Sequence, residues 1–534
     1  MDALALYRQG RYGEALSLAQ ARGDPKAAAL AALALGEVAE AQTLLEAWFP
    51  ADEAEQAERL SLLGFAAFRR GDTQAYQRLA LAAAQAAQTP LTLYHLGLSL
   101  PPKDGLLALQ EALHQLETQD AAPEEQARLA FALARTLRRL GRFAEALSYA
   151  SLAALQAPQP HYRLEELTLL AYVGAEPLAE LERILPPLLA HEAPPVRYHA
   201  LWLSLLLQGM QGQVSPELLQ DLYGRHPHPS LLAYDLPLLV LLGRDQPSSQ
   251  ALLARRLRAA RAQPPQEPLP QALLLLAEGL YRYPQPEARP LLEESLSVLE
   301  AGWAEEALRA VAHLCALDGA PLPEPYGGMA LSLRPEARAL FLPAELPSPN
   351  PAGPYLQTLG KAQLQGFPNL RPRSLEILTL LLADPEGITG EALAKELYGE
   401  ANPQALKTEL CRLRQAGLQI QSRPYRLLTP LEADFLKLQE ALEQNRIQEA
   451  LALYHGSLLP KSQAPGIEAL RVRLEEALIG AVLQSGEPEL LYRLAERLRD
   501  DLRVWEACLT ALPPRDPRRP AVQAWVKRLS ARYR

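Results

Sequence analysis

One short phrase recurs through residues 1 to about 320 and limits what this chain can become. It reads Gly10-Arg11-Tyr12-Gly13-Glu14-Ala15-Leu16, then Gly36-Glu37-Val38-Ala39-Glu40-Ala41, then Gly71-Asp72-Thr73-Gln74-Ala75. Its fullest copy is Gly141-Arg142-Phe143-Ala144-Glu145-Ala146-Leu147. Glycine permits the tight, left-handed turn at a helix end. The aromatic or apolar residue after it plugs the gap between two antiparallel helices, and the small Ala lets their backbones approach. Leu/Ala-rich amphipathic runs such as Gln126 to Leu140 fill the intervals. A chain that repeats this phrase is expected to stack helix on helix.

These phrases resemble the tetratricopeptide repeat (TPR), whose period is about 34 residues. Their spacing is irregular. From about Leu201 to Ala310 the signature fades while helical periodicity persists, with prolines at 158, 160, 186, 187, 194 and 195 marking helix ends. The expectation for 1–320 is a degenerate TPR-like α-solenoid that takes a protein or peptide ligand on its concave face; the alternative is a structural spacer. At 534 residues the chain exceeds one core, and its 49% hydrophobic content is only 6% aromatic, Leu and Ala supplying most of it. The fold class is therefore mainly α.

From Pro321 to Pro354 the texture changes to Pro and Gly, ending in LPSPNPAGP. That density reads as a semi-rigid linker, with MALSL and ALFLP as candidate short strands. Residues 355–428 then give a β element (Tyr355 to Leu364), a helix (Arg373 to Ala383), a second helix capped by Thr389 (Gly390 to Tyr398), and the stretch Asn402 to Gly417. In that stretch Asn402 suits the N-cap, Pro403 the first turn and Gly417 the left-handed exit. Leu406, Leu410 and Leu413 fall on one face; Gln404, Thr408, Cys411 and Gln415 lie opposite, with Lys407, Arg412 and Arg414 on the edges. LQIQ and PYRLL follow as two short strands around a turn at Ser422–Arg423. Strand, three helices and hairpin is the order of a winged helix-turn-helix. Residues 429–534 return to helix, opening with Leu431 to Gln444 and a further copy of the turn phrase at Asn445 to Leu451.

Tyr355 to about Asp500 resembles the pairing of an OmpR-type winged helix with a bacterial transcriptional activator domain, as in SARP-type regulators. The match is carried by ITGEALAKELYGEANPQALKTELCRLRQAG, PYRLL, YHGSLLP and IEALRVRLEEAL. Tyr398 stands where Trp is common, Pro424 where Gly is usual, and Gly466 where an aromatic is frequent. The resemblance implies a C-terminal TPR-like helical domain at 429–534 and a DNA-binding transcriptional regulator, an activator, that reads double-stranded promoter DNA. Gln404, Thr408, Cys411 and Arg412 would then face bases or nearby phosphates, Lys407 and Arg414 the backbone, and Arg423 the minor groove or a phosphate. RNA polymerase or a second protomer, as a homodimer, would be further partners.

Other chemistry finds little footing in the sequence. Net charge is −9, against a chain that coats nucleic acid throughout; residues 355–428 carry nine Lys/Arg against seven Asp/Glu, a net of +2. Cys315, Cys411 and Cys508 form no CxxC pair, which suits a reducing, cytoplasmic setting. MDALALYRQGRYGEAL lacks the marks of a signal peptide, and LLAYDLPLLVLLG is too broken to span a membrane. Gly360-Lys361 does not make a phosphate-binding loop, His226-Pro227-His228 and His191-Glu192 lack further metal ligands, and no nucleophile elbow is present. No enzyme and no cofactor are expected. The competing reading is a TPR scaffold whose winged helix mediates protein contacts without binding DNA.

Overall fold

The leading glycine of each copy of the phrase adopts the left-handed conformation, with φ of 78° at Gly10, 87° at Gly36, 91° at Gly71 and 72° at Gly141. The helices on either side pack against each other: Glu53–Arg69 on Thr73–Ala86, and Pro123–Arg139 on Phe143–Gln156. Ala146 and the plug Phe143 are buried at the second of these contacts, and Ala15 and Ala41 are buried in the corresponding helices of the earlier copies. The computed structural model describes residues 2–532 except 9, 120, 158, 192–193, 216, 218, 220–228, 245–246, 263–267, 324, 347–354, 365–366, 368–369 and 400–402. The described chain is mainly α-helical, its strands confined to residues 355–433. Contacts divide it into two compact units, 1–347 with 517–524, and 348–516 with 525–534.

In the first unit, successive helices pack side by side through most of its length, and a buried ionic cluster joins three that are distant in sequence. Arg138 pairs with Glu165 at 2.7 Å and with Glu305 at 3.0 Å. Glu305 also accepts from Tyr172 Oη at 2.8 Å and from Arg309 at 2.6 Å. Two guanidinium groups thus meet two carboxylates, the pairing under which buried ions are tolerated, although Arg309 Nε and the neighbouring Glu306 carboxyl lack full hydrogen bonding.

The stretch from Pro321 departs from expectation. Instead of linker and strands, Tyr326–Ser332 and Pro335–Phe341 are helices, with Met329, Ala330, Ala337 and Phe341 buried. MALSL is thus helical through Ser332 and ALFLP through Phe341, and neither is a strand. Pro335 occupies the first turn, where its missing N–H costs nothing, so proline starts this helix rather than forbidding it. Residues 347–354, the most proline-rich part of the expected linker, lie outside the described residues.

The second unit begins with β1 (Tyr355–Gln357) and β2 (Gln363–Leu364), antiparallel, with Leu356 opposite Leu364. Helices Pro372–Ala383, Gly390–Tyr398 and Pro403–Gln415 follow. The hairpin of β3 (Ile420–Gln421) and β4 (Arg426–Leu427) pairs Ile420 with Leu427. A fifth strand, β5 (Glu432–Ala433), lies parallel to β1, where helix was expected from Leu431; the helix starts at Asp434 instead. Asp434 explains the junction. Its buried carboxylate accepts from the Thr358 amide at 2.8 and 2.9 Å, Thr358 Oγ1 at 2.6 Å, the Leu359 amide at 2.9 Å and the Phe435 amide at 2.8 Å.

The YHGSLLP segment docks on the same strand end. Gly360 donates to Ser457 O at 3.0 Å and Leu459 donates to Thr358 O at 2.8 Å. Helix Pro465–Ser485 then packs on Pro372–Ala383 and Gly390–Tyr398. A Cβ at Gly466 would lie 2.8 Å from the Glu396 Cβ, so this helix crossing is close enough to leave no room for a side chain there.

Candidate nucleic-acid interface

The Pro403–Gln415 helix buries the face that its leucines mark. Leu406, Leu410 and Leu413 are at most 1% exposed, against the two preceding helices. The opposite side is open: Gln404, Lys407, Thr408, Cys411, Arg412 and Arg414 are all exposed, as is Arg423 in the hairpin turn. The expected cap, Asn402, lies outside the described residues, whereas Gly417 ends the helix at φ 98°. Thr389 caps the preceding helix by accepting from the Ala392 amide at 3.3 Å.

The exposed residues do not stand alike. Gln404, Lys407, Thr408 and Cys411 form a continuous polar strip, within which Thr408 Oγ1 donates to Gln404 O at 3.2 Å. Arg412 is paired with Glu409, which also accepts from Ser374 Oγ at 3.3 Å. Arg414 reaches along the chain rather than outward. It donates to Ile420 O at 3.0 and 3.2 Å and to Ser422 Oγ at 2.8 Å, latching the hairpin to the helix. Tyr425 pairs with Ile388 through two backbone bonds of 2.8 and 2.9 Å, and Arg426 donates to Glu386 O at 2.9 Å, fixing the hairpin from the other side. Arg423 sits at the tip with φ 68°, a conformation uncommon for a non-glycine residue.

Beside the helix, sequence reasoning missed three residues. Arg371, Arg373 and Tyr398 line a recess of about 570 Å³ together with Thr408 and Glu409. Arg373 donates to Leu397 O at 2.8 Å, pairs with Glu376 at 2.7 Å and lies 4.9 Å over the Tyr398 ring. Arg371 remains exposed at the start of the first helix of this group. The signal was the Arg-Pro-Arg run at a helix start, but nothing in sequence spacing places it beside a helix thirty positions later. Among the described residues, no group of three His, Cys, Asp or Glu is placed to hold a metal; His226 to His228 and Glu192 lie outside them. Among the same residues no helix is long and apolar enough to cross a membrane.

Comparison with known proteins adds three findings. Residues 487–534 match the family model of the YTH3-like protein, third C-terminal helical domain. In that segment the Trp505 and Trp525 indoles both donate to Arg499 O, at 3.0 and 3.1 Å, with ring centres 5.4 Å apart. An uncharacterized 47.3 kDa protein in the thcA 5' region of Rhodococcus erythropolis is 37% identical over 157 residues, which cover 28% of this chain and 36% of that protein. The chain thus spans about a third of the length of the curated relative it matches. The crystal structure of the APC/C hetero-tetramer Cut9-Hcn1 aligns over 98% of this chain and 97% of that one, with 14% identity and a TM-score of 0.30.

Proposed function

We propose that this protein is a DNA-binding transcriptional regulator, an activator, in which residues 355–428 act as a winged helix and the Pro403–Gln415 helix reads the major groove. The observation that carries this reading is the polar, partly basic outer side of that helix, held out by a buried leucine face and flanked by a hairpin that Arg414 fastens to it. Gln404, Thr408 and Cys411 are of a size to meet base edges; Lys407, Arg412 and Arg423 supply the cations that phosphates need. Arg414 serves by holding the wing. The helices of 429–534, a bacterial transcriptional activator domain on this reading, brace the winged helix and contact RNA polymerase or a second protomer. The helices of 1–320 receive a protein or peptide signal as a TPR-like array, and the setting is cytoplasmic.

A second reading has its own observation. The Arg412–Glu409 pair and the net of only +2 over 355–428 suit a protein-docking surface as well. Mobility shifts of sheared genomic DNA separate the two. Lys407→Ala and Arg412→Ala should each weaken binding by about 5- to 100-fold, the cost of one or two lost DNA contacts. Unchanged shifts in both variants would remove the major-groove assignment, and no shift with the parent protein would leave the scaffold reading.

A further inference from the structure

The helix Pro465–Ser485 turns Ile467, Leu470, Leu474, Leu478 and Val482 into the second unit, where it packs on Pro372–Ala383 and Gly390–Tyr398. Its other side is open to solvent. Glu468, Ala469, Val472, Arg473, Glu476 and Ala477 are exposed there, and Gly480 adjoins them. At 3.6 residues per turn, Ala469, Arg473, Glu476 and Gly480 run down the middle of that side, at i, i+4, i+7 and i+11.

Nothing inside the chain accounts for three of these residues. A Cβ at Gly480 would meet nothing within 4 Å, so no neighbour demands glycine there, although glycine weakens a helix interior. Val472 is 59% exposed at the edge of a groove of about 610 Å³ that Ile479, Leu498 and Leu502 also line. Arg473 makes no ion pair or hydrogen bond among the described residues. The arginines around it are all engaged: Arg471 donates to Leu458 O at 2.8 Å, and Arg503 pairs with Glu476 at 2.9 Å and with Asp501 at 2.7 Å. The order of residues on the open side is self-complementary. When a second copy of the helix lies antiparallel on the first, centred between Leu474 and Glu475, Arg473 of each faces Glu476 of the other and Ala469 faces Gly480. Both pairs share one midpoint, so one register satisfies both. The small pair lets the backbones approach, and the carboxylate of Glu476 has lone pairs for a second guanidinium besides Arg503. A parallel pairing would instead set Arg473 against Arg473 and Glu476 against Glu476, and like charges repel.

We propose that this face is the interface at which two copies of the chain form an isologous, antiparallel dimer, with Ala469, Val472, Arg473, Glu476 and Gly480 at its centre. A two-fold axis through the helix pair relates the two winged helices, so they read inverted half-sites, a consequence that rests on the regulator reading. One pair of helices makes an interface at the low end of the size range, below about 1,200 Å², so the dimer forms reversibly with concentration.

Sedimentation velocity of the full chain without DNA tests this over about 1 to 100 µM, the range where a small interface associates. The parent should pass from monomer to dimer across it. Gly480→Leu fills open space and favours the helix, so the dilute protein should melt no lower than the parent, while the dimer weakens by about tenfold or more. Arg473→Glu and Glu476→Arg should each stay monomeric alone, because like charges then meet. An equimolar mixture of the two should recover a dimer, because opposite charges face each other again. A parent that remains monomeric overturns the proposal, as does a dimer that persists undiminished in either Gly480→Leu or Arg473→Glu. Single variants that are monomeric and stay so when mixed overturn the antiparallel register. DNA mobility shifts on the same preparations report on the regulator reading separately, since a dimer that binds no DNA removes that reading and leaves the interface standing.

Discussion

His95 and His313 show how single residues tie this fold to pH. Burial holds both imidazoles down to about 3, well below the ordinary histidine range. His313 is placed as a neutral ring, with Nδ1 donating to Arg309 O at 2.8 Å and Nε2 accepting from Arg244 at 3.3 Å. His95 meets Tyr76 Oη at 3.3 Å and packs 5.2 Å from the Phe65 ring. The unfolded chain protonates each histidine below about pH 6.5, and the folded chain does not until about pH 3. Stability therefore rises with pH through that window and is withdrawn as pH falls, by about 1.4 kcal/mol per pH unit for each ring. Glu306 runs the other way: burial and Glu305 push it up to about 7, so its contribution declines as pH rises from 4.5 toward 7. Replacing His95 with Phe isolates one imidazole. Urea unfolding of parent and variant followed by circular dichroism between pH 7 and 5 should show the variant's pH dependence flatter by one proton. Parallel curves would mean that His95 is not held neutral.

Among the elements, what the sequence disclosed and what it hid follow from the range of the forces involved. The Pro403–Gln415 helix was legible because its leucine spacing and its exit glycine are local. β5 was not, since two residues carry no alternation and Glu432–Ala433 become a strand only by pairing with Tyr355 and Leu356 far upstream. Arg414 was read as a DNA-backbone contact because charge is visible in sequence, while the β3 carbonyl that captures it is not. The helices between 326 and 341 were hidden by proline counting, although Met329 shows why they are there. A Cβ at Gly141 would lie 2.2 Å from Met329 Cε, so the turn glycine and the late helix are packed together. With φ 72° the position is unfavourable to Ala on backbone grounds as well. Gly141→Ala should cost about 2 kcal/mol or more in chemical denaturation, from strain plus overpacking. Adding Met329→Ala should return part of that cost, since contacting sites do not add independently. If the double variant loses the full sum of the two single changes, the contact does not operate.

At the scale of the whole molecule, charge decides what kind of DNA binder this chain could be. A net of −9 over 534 residues opposes loose adhesion to a polyanion, so attraction must come from a small local set of cations. On the Pro403–Gln415 helix and its hairpin that set is Lys407, Arg412 and Arg423, all exposed, with Arg371 exposed at the recess beside them; Arg414 is taken up by the hairpin, and Arg373 by Glu376 and Leu397 O. Arg412 must in addition leave Glu409, or share it, to reach a phosphate. Three phosphate contacts give a slope of log affinity against log salt of about −3 per protomer, and about −6 if two protomers bind together. Fluorescence anisotropy of a labelled genomic duplex from 50 to 200 mM salt measures that slope, and Arg423→Ala should make it shallower by about one per protomer. A much steeper slope would require cations outside this face. Binding that is indifferent to salt would leave the face without an electrostatic hold on DNA, and the scaffold reading would then account better for a helix whose best-placed arginine is already paired.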